Sequence, residues 1–295
     1  MIPRFDASNF SDVTAEMRAA FSGDGVLVLD GLIAEATCDE LRNHMNDMMA
    51  SFDVEEHASV FSSTSQAHAQ DEYFLSSGHT TRFFFEEEAF DSDGTLTKPL
   101  EKALNKVGHA MHDTDPVFDR FARQPALAAL AKGLGHADPK LAQSMYIFKQ
   151  PEIGGEVICH QDATYIRTAP NSCLGFWVAL EDATEENGCL WGIPGGHKDG
   201  IAGSKSMPKS LFIREGNTTH AKTLEETPYR EEDCLPLPAS KGTVLAFGGL
   251  FPHMSKANRS AKSRHAYTLH VVDGAAEYPA DNWLQRPADM PFRGF

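Results

Sequence analysis

The sequence predicts a mainly β chain, an antiparallel sandwich or barrel with helices packed on the outer face of its sheet. Three observations carry that expectation. Short runs rich in Trp, Tyr, Phe and Val recur from residue 141 onward: LAQSMYIFKQ, CLGFWVAL, GTVLAFGG and HAYTLHVV. Turn-forming residues separate them, at Asn187-Gly188, Pro194-Gly195-Gly196 and Lys241-Gly242. Helical spacing of apolar residues is confined to the first half.

Taken in order, residues 6–24 place Phe10, Val13, Met17 and Phe21 at intervals of three and four, one face of a helix that stops at Gly23 and Gly25. A short apolar strand follows at Val26–Leu29. Residues 36–49 read as a second helix, with Cys38, Leu41 and Met45 on one side. Residues 53–80 are polar, rich in Ser, His and Gln, and read as a loop. RFFFEEEAF at 82–90 suggests a strand and its edge, and DSDG at 91–94 a turn. Residues 99–112 and 116–134 read as two helices divided at Asp115-Pro116. No repeat or flexible linker is visible, so residues 1–295 are expected to form one domain, its helical N-terminal half packed on the β core.

The 295 residues carry a net charge of −16, from 26 basic and 42 acidic side chains. That balance argues against non-specific binding of nucleic acid. Five cysteines, an odd number with no C-x-x-C pair, predict a reducing, cytoplasmic setting rather than a disulfide framework. The start, MIPRFDASNFSD, has no basic-then-apolar secretory pattern, and no apolar run approaches the ~20 residues that span a bilayer.

The sharpest local feature is Cys159-His160-Gln161-Asp162. Side chains alternate along a strand, so His160 and Asp162 face one cavity while Cys159 and Gln161 face away. His253, just beyond the strand-like TVLAFGG, is the best third ligand. Two imidazoles and a carboxylate occupy one face of an octahedral metal and leave three positions open, as in non-haem Fe(II) oxygenases. The same set can also hold Zn²⁺ and activate water. Arg264 lies 11 residues after His253; a hairpin would bring the two together. Its guanidinium would pair with the distal carboxylate of 2-oxoglutarate, with Ser263 as a further donor.

These motifs resemble the phytanoyl-CoA dioxygenase family, most closely its domain-containing proteins. The likeness includes GVLVLDG at 25–31, EYFLSSG at 72–78, QSMYIFKQP at 143–151, GGEVICHQDATY at 154–165, ENGCLWGIPGGH at 186–197 and NWLQ at 282–285. It implies a double-stranded β-helix (jelly roll) with flanking helices, and chemistry with Fe(II), 2-oxoglutarate and O₂. By the same resemblance the metal ligands are His160, Asp162 and His253, and the 2-oxoglutarate carboxylate meets Arg264. Cosubstrate contacts are implied at Lys106, Met145, Trp177 and Ser263. Asp162 stands where related halogenases carry a small residue, which implies a hydroxylase or demethylase type of oxygenase.

Read without the resemblance, Lys106 is a solvated lysine in a helix, and Met145 and Trp177 are core residues of strands. His109 and His112 are expected in structural or surface roles. Tyr165 and Arg167 are placed near the substrate opening, and His197 is not expected to bind metal. The expected substrate is a small organic molecule; no Lys/Arg cluster fit for CoA phosphates is present. The alternatives are a Zn²⁺-dependent hydrolase and a non-catalytic, cupin-like binder of metal or small ligands.

Overall fold

A computed structural model describes residues 2–54, 60, 72–198 and 207–295. In chain order the strands are β1 (Arg4–Asp6), β2 (Val26–Asp30), β3 (Thr81–Phe85), β4 (Leu104–His109), β5 (Pro139–Ile147), β6 (Val157–His160), β7 (Leu174–Ala179) and β8 (Leu190–Gly192). They continue with β9 (Ser210–Glu215), β10 (Thr218–Thr223), β11 (Leu235–Leu237), β12 (Val244–Gly248), β13 (His253–Ser255) and β14 (Ala266–Asp273). The helices are α1 (Ala15–Asp24), α2 (Glu35–Ala50), α3 (Glu72–Ser76), α4 (Met111–Thr114), α5 (Pro116–Ala122) and α6 (Pro125–Gly133).

The strands form an eight-stranded sheet, β1-β2-β12-β7-β14-β5-β4-β3, and a four-stranded sheet, β11-β8-β13-β6. A separate hairpin joins β9 and β10. This is the jelly roll with flanking helices. One face of the large sheet buries Leu174, Phe176, Val178, Leu269 and Tyr267 against Cys38, Leu41 and Met45 of α2 and Phe118 and Phe121 of α5. The other face turns toward the small sheet, and the site lies between the two. Among the described residues no helix is long and apolar enough to cross a membrane.

Local chemistry explains where the elements depart from expectation. The first helix starts at Ala15 rather than residue 6, because Thr14 caps it by accepting the Met17 N–H. Ahead of it, β1 pairs in parallel with β2. The helix expected at 99–112 is broken up: Leu100–Lys102 is a 3₁₀ turn, β4 runs through Leu104–His109, paired with β3 and β5, and an α-helix starts only at Met111. In LNKVGH the apolar Leu104 and Val107 are three apart, a helical spacing, and pairing with strands on both sides overrides it. The helix expected at 116–134 is two, α5 and α6, because Pro125 cannot continue the first and instead starts the second. The N-terminal half is therefore not only helical, since it supplies β1 to β4. Most of the polar stretch 53–80 read as a loop lies outside the described residues, and its described end is not all loop, since Glu72–Ser76 forms α3 and buries Phe74 and Leu75; the end of the WGIPGGHKDG segment also lies outside the described residues.

The C-terminal segment is tied across the sheet by charge. Asp113 is almost fully buried and meets Arg123 at 2.8 Å, Arg286 at 3.1 Å and Arg293 at 2.8 Å. The Arg293 carbonyl accepts the Leu141 N–H at the start of β5. Burial alone would raise the pKa of Asp113, but His112 and the arginines outweigh it and hold the carboxyl far below the ordinary range. Asp113→Asn should therefore lose about 3 kcal/mol, because Arg286 and Arg123 keep their burial without their anion, while the half-exposed Arg293 turns to solvent. Equilibrium urea unfolding at pH 7 measures it. The folded-state pKa is depressed, so the contribution is complete above the unfolded value of 3.8 and fades as pH falls below it. The gap between wild type and variant should narrow on acidification; a loss under 1 kcal/mol at pH 7 would contradict this role.

Candidate active site

Strand register assembles the centre. β13 runs antiparallel to β6 with His253 directly opposite His160, and opposed residues share a face. Their ring centroids are 4.4 Å apart. β6 ends at His160, Gln161 stays extended, and Asp162 opens a 3₁₀ turn. Alternation survives across the strand end because Gln161 is clamped on the far side. Its Nε2 donates to the Leu250 carbonyl and its Oε1 accepts the Lys209 N–H. Cys159 is not among the cavity-lining residues.

His160, Asp162 and His253 present ligand atoms that all lie within 4.8 Å of one another. Both rings are oriented alike. His160 Nδ1 lies 2.8 Å from the Ile158 carbonyl, and His253 Nδ1 lies 3.0 Å from the Phe251 carbonyl. A carbonyl only accepts, so each Nδ1 carries the proton and each Nε2 lone pair faces the centre. The Nε2 atoms stand 3.5 and 3.7 Å from Asp162 Oδ1. Burial, with His160 beside it, pulls His253 down to about 4, which leaves a neutral ring at pH 7. Burial alone would raise the Asp162 carboxyl; the neighbouring His270 and His253 outweigh it and hold it well below its usual range. A neutral donor, an anion and a compact geometry suit a divalent metal.

His270 was not singled out in the sequence. Its Nε2 lies 3.0 Å from Asp162 Oδ2, so it orients the carboxylate from behind. The available signal was polar Thr268 and His270 at alternating positions of an otherwise apolar AYTLHVV. Gly175 sits opposite His270 in register. A Cβ there would fall 3.0 Å from Asp162 Oδ2 and 2.8 Å from Phe247, so only glycine leaves room for the carboxylate.

The cavity, about 190 Å³, lies between the sheets. Its floor is a set of cross-strand rows. One runs Gly108, Met145, Thr268, Trp177; the next runs Gln143, His270, Gly175, Phe247. Lys106 stands opposite Ile147 in the row beyond Gly108. Met145 and Trp177 thus line the cavity, and so does Lys106, from a strand rather than a helix. Burial pulls Lys106 down to about 7. Strict alternation along β5 would put Leu141 on the face of Gln143 and Met145, but a bulge against His270/Val271 reverses it, and Leu141 packs toward the helices.

Arg264 also lines the cavity, although not through a hairpin. His253 belongs to the small sheet, whereas Arg264 leads into β14 of the large one, so the chain between them crosses from sheet to sheet. The guanidinium is fully buried over the Trp177 ring, and Nε donates to the Gly188 carbonyl. Burial pulls it to about 10, still charged at neutral pH. Nη1 is buried with no hydrogen-bond partner. An unpaired buried donor is costly, and a ligand carboxylate would satisfy it. Ser263 does not join it: its hydroxyl donates to Glu181, and it is absent from the cavity lining. The serine that lines the cavity with Arg264 is Ser255, two residues after His253.

Phe74, His109, Tyr165, Ile166, Phe212 and Trp283 form a further, mostly apolar wall. His109 and His112 are both buried, not on the surface, and bond Ser77 and Ser144. Arg167 pairs with Asp281 outside the cavity, and His197 contacts the Ser22 carbonyl.

The family model described as phytanoyl-CoA dioxygenase matches residues 21–266. A phytanoyl-CoA dioxygenase of Arabidopsis thaliana is 41% identical over 280 residues, covering 95% of this chain and 95% of that protein. Phytanoyl-CoA dioxygenase domain-containing protein 1 of Danio rerio is also 41% identical, covering 92% and 94%. Among solved structures, apo EctD from S. alaskensis superposes with a TM-score of 0.61 at 20% identity, over 97% of this chain and 88% of that one. The α-ketoglutarate-dependent carbocyclase SnoK gives 0.61 at 16% identity, over 95% and 90%. At these identities the structural matches speak for the shared fold alone.

Gly175→Ala should push Asp162 or Phe247 aside and weaken divalent-metal binding by roughly 10–100-fold. Gly248→Ala, whose nearest neighbour would be Phe21 at 3.6 Å, should leave it unchanged. Calorimetric titration with Mn²⁺ separates the two; equal affinities would refute the steric account.

Proposed function

This chain belongs to the phytanoyl-CoA dioxygenase family, and on that premise we propose that it hydroxylates a small organic substrate using Fe(II), 2-oxoglutarate and O₂. The observation that carries the reading is one cavity with a His-Asp-His metal face and a buried arginine whose Nη1 lacks a partner. The donor set suits Fe(II), and the free guanidinium edge suits the distal carboxylate of a dicarboxylic 2-oxo acid. A related fold, EctD, is known with 2-oxoglutarate and 5-hydroxyectoine, which supports the same cosubstrate here.

His160, Asp162 and His253 would hold the metal, and Arg264 with Ser255 the far end of the cosubstrate. Bound together, Fe(II) and 2-oxoglutarate supply reduction of O₂ coupled to C–H hydroxylation, with release of succinate and CO₂. The chain's own part is geometric. The carbonyls of Ile158 and Phe251 keep both imidazoles in the ligating tautomer. His270 fixes the Asp162 carboxylate. Phe74, Phe212 and Trp283 exclude water and receive an apolar part of the substrate. Lys106, Gln143 and His109 supply polar contacts on the same wall. A cavity of about 190 Å³ favours a small substrate, or the small end of a larger one.

Anaerobic addition of Fe(II) and then 2-oxoglutarate should produce a weak visible charge-transfer band that needs both. Arg264→Met should weaken 2-oxoglutarate binding by about 2 kcal/mol or more, roughly 30-fold. His160→Ala or Asp162→Ala should abolish succinate formation. Tight Zn²⁺ binding with no band would favour a hydrolase instead, and absence of metal binding would favour a non-catalytic role.

A further inference from the structure

Lys149 is a buried cation whose role is not explained by the metal face or by Arg264. It follows β5, lines the cavity, and holds a backbone φ of 43°, a conformation that non-glycine residues rarely adopt. Its Nζ donates to Ser255 Oγ at 2.9 Å and to the Gly155 carbonyl at 2.5 Å. Its carbonyl accepts the Arg264 N–H at 3.3 Å and Asn258 Nδ2 at 3.0 Å. Space is kept for its stem, since a Cβ on Gly188 would lie 2.8 Å from Lys149 Cε. Gly188 is also the residue whose carbonyl accepts Arg264 Nε. Lys149, Ser255 and Arg264 are therefore held by one local framework.

A serine hydroxyl donates one proton and accepts through two lone pairs. Burial, with Arg264 nearby, pulls Lys149 down to about 7; in its ammonium form, which prevails below that pH, it cannot accept in return, so the Ser255 proton is left for another partner. Resting on the dioxygenase reading, we propose that Lys149 is a positioning residue for the cosubstrate. It locks Ser255 as acceptor, so that the Ser255 O–H and the free Arg264 Nη1–H aim together at the distal carboxylate of 2-oxoglutarate. Lys149 thereby sets the preference for a dicarboxylic 2-oxo acid over one that ends in a methyl group.

The test compares two ligands on the full-length, Mn²⁺-loaded protein by calorimetry: 2-oxoglutarate, and 2-oxopentanoate, which lacks the distal carboxylate. Lys149→Met should weaken 2-oxoglutarate on the order of tenfold, as for loss of an oriented hydrogen bond to a charged group. Binding of 2-oxopentanoate should stay within about twofold, because that ligand makes no use of the contact. In a Ser255→Ala background the same substitution should cost under about threefold, since the residues act as a unit. Equal weakening of both ligands, or the same loss with and without Ser255, would show that Lys149 only supports the fold and would overturn the proposal. Should the methionine variant fail to fold, Lys149→Gln is judged by the same ligand ratio. If wild type binds Mn²⁺ but no 2-oxoglutarate, the dioxygenase reading itself falls, and this proposal with it. Binding by wild type with an unchanged ratio in the variants overturns only the role of Lys149.

Discussion

The pairing of β6 with β13 is the constraint on which the site depends. His253 opposes His160 in register, and a slip of one residue would turn either ring to the opposite face. The small sheet has only four short strands, so it cannot hold that register by length. β13 is paired on both sides, with β8 as well as β6, and Gln161 clips the end of β6 to Leu250 and Lys209. The third ligand then follows from strand alternation carried one residue beyond the ladder.

The large sheet contributes what a short ladder cannot, a rigid floor. Its one face is packed against helices, and its other face carries the rows that end at the metal centre. Polar groups on that second face are few and each is placed. His270 stands behind Asp162, Thr268 lies between Met145 and Trp177, and Lys106 sits near the cavity rim row of Ile147. Gly175 leaves the one gap into which a carboxylate fits. The dioxygenase centre is thus shared: the small sheet supplies ligands, and the large sheet orients them and lines the space where a cosubstrate would lie.

Charge is arranged so that each buried group has either a partner or an opening. Asp162 is surrounded by three histidines, and Asp113 by three arginines and His112. Arg264 differs, since Nη1 has no partner and faces a cavity. In a low-dielectric interior an unpaired donor is tolerated where a ligand completes it.

The sequence by itself determined the features that depend on neighbours in the chain. The H-x-D spacing, the strand runs at β5, β7, β12 and β14, the helix at α2 and the dioxygenase family motifs were all legible, because periodicity and short spacing are local properties. Tertiary structure decided the rest. Lys106 lies in a strand because β3 and β5 pair with it from both sides. Leu141 turns away from Met145 because of a bulge that appears only against β14. Ser255 rather than Ser263 lines the cavity, since the chain after β13 crosses between sheets and leaves Ser263 facing Glu181. His270 reaches Asp162 across 108 residues of sequence. Each of these depends on contacts between distant segments, and a local pattern carries no information about which strand will become its neighbour.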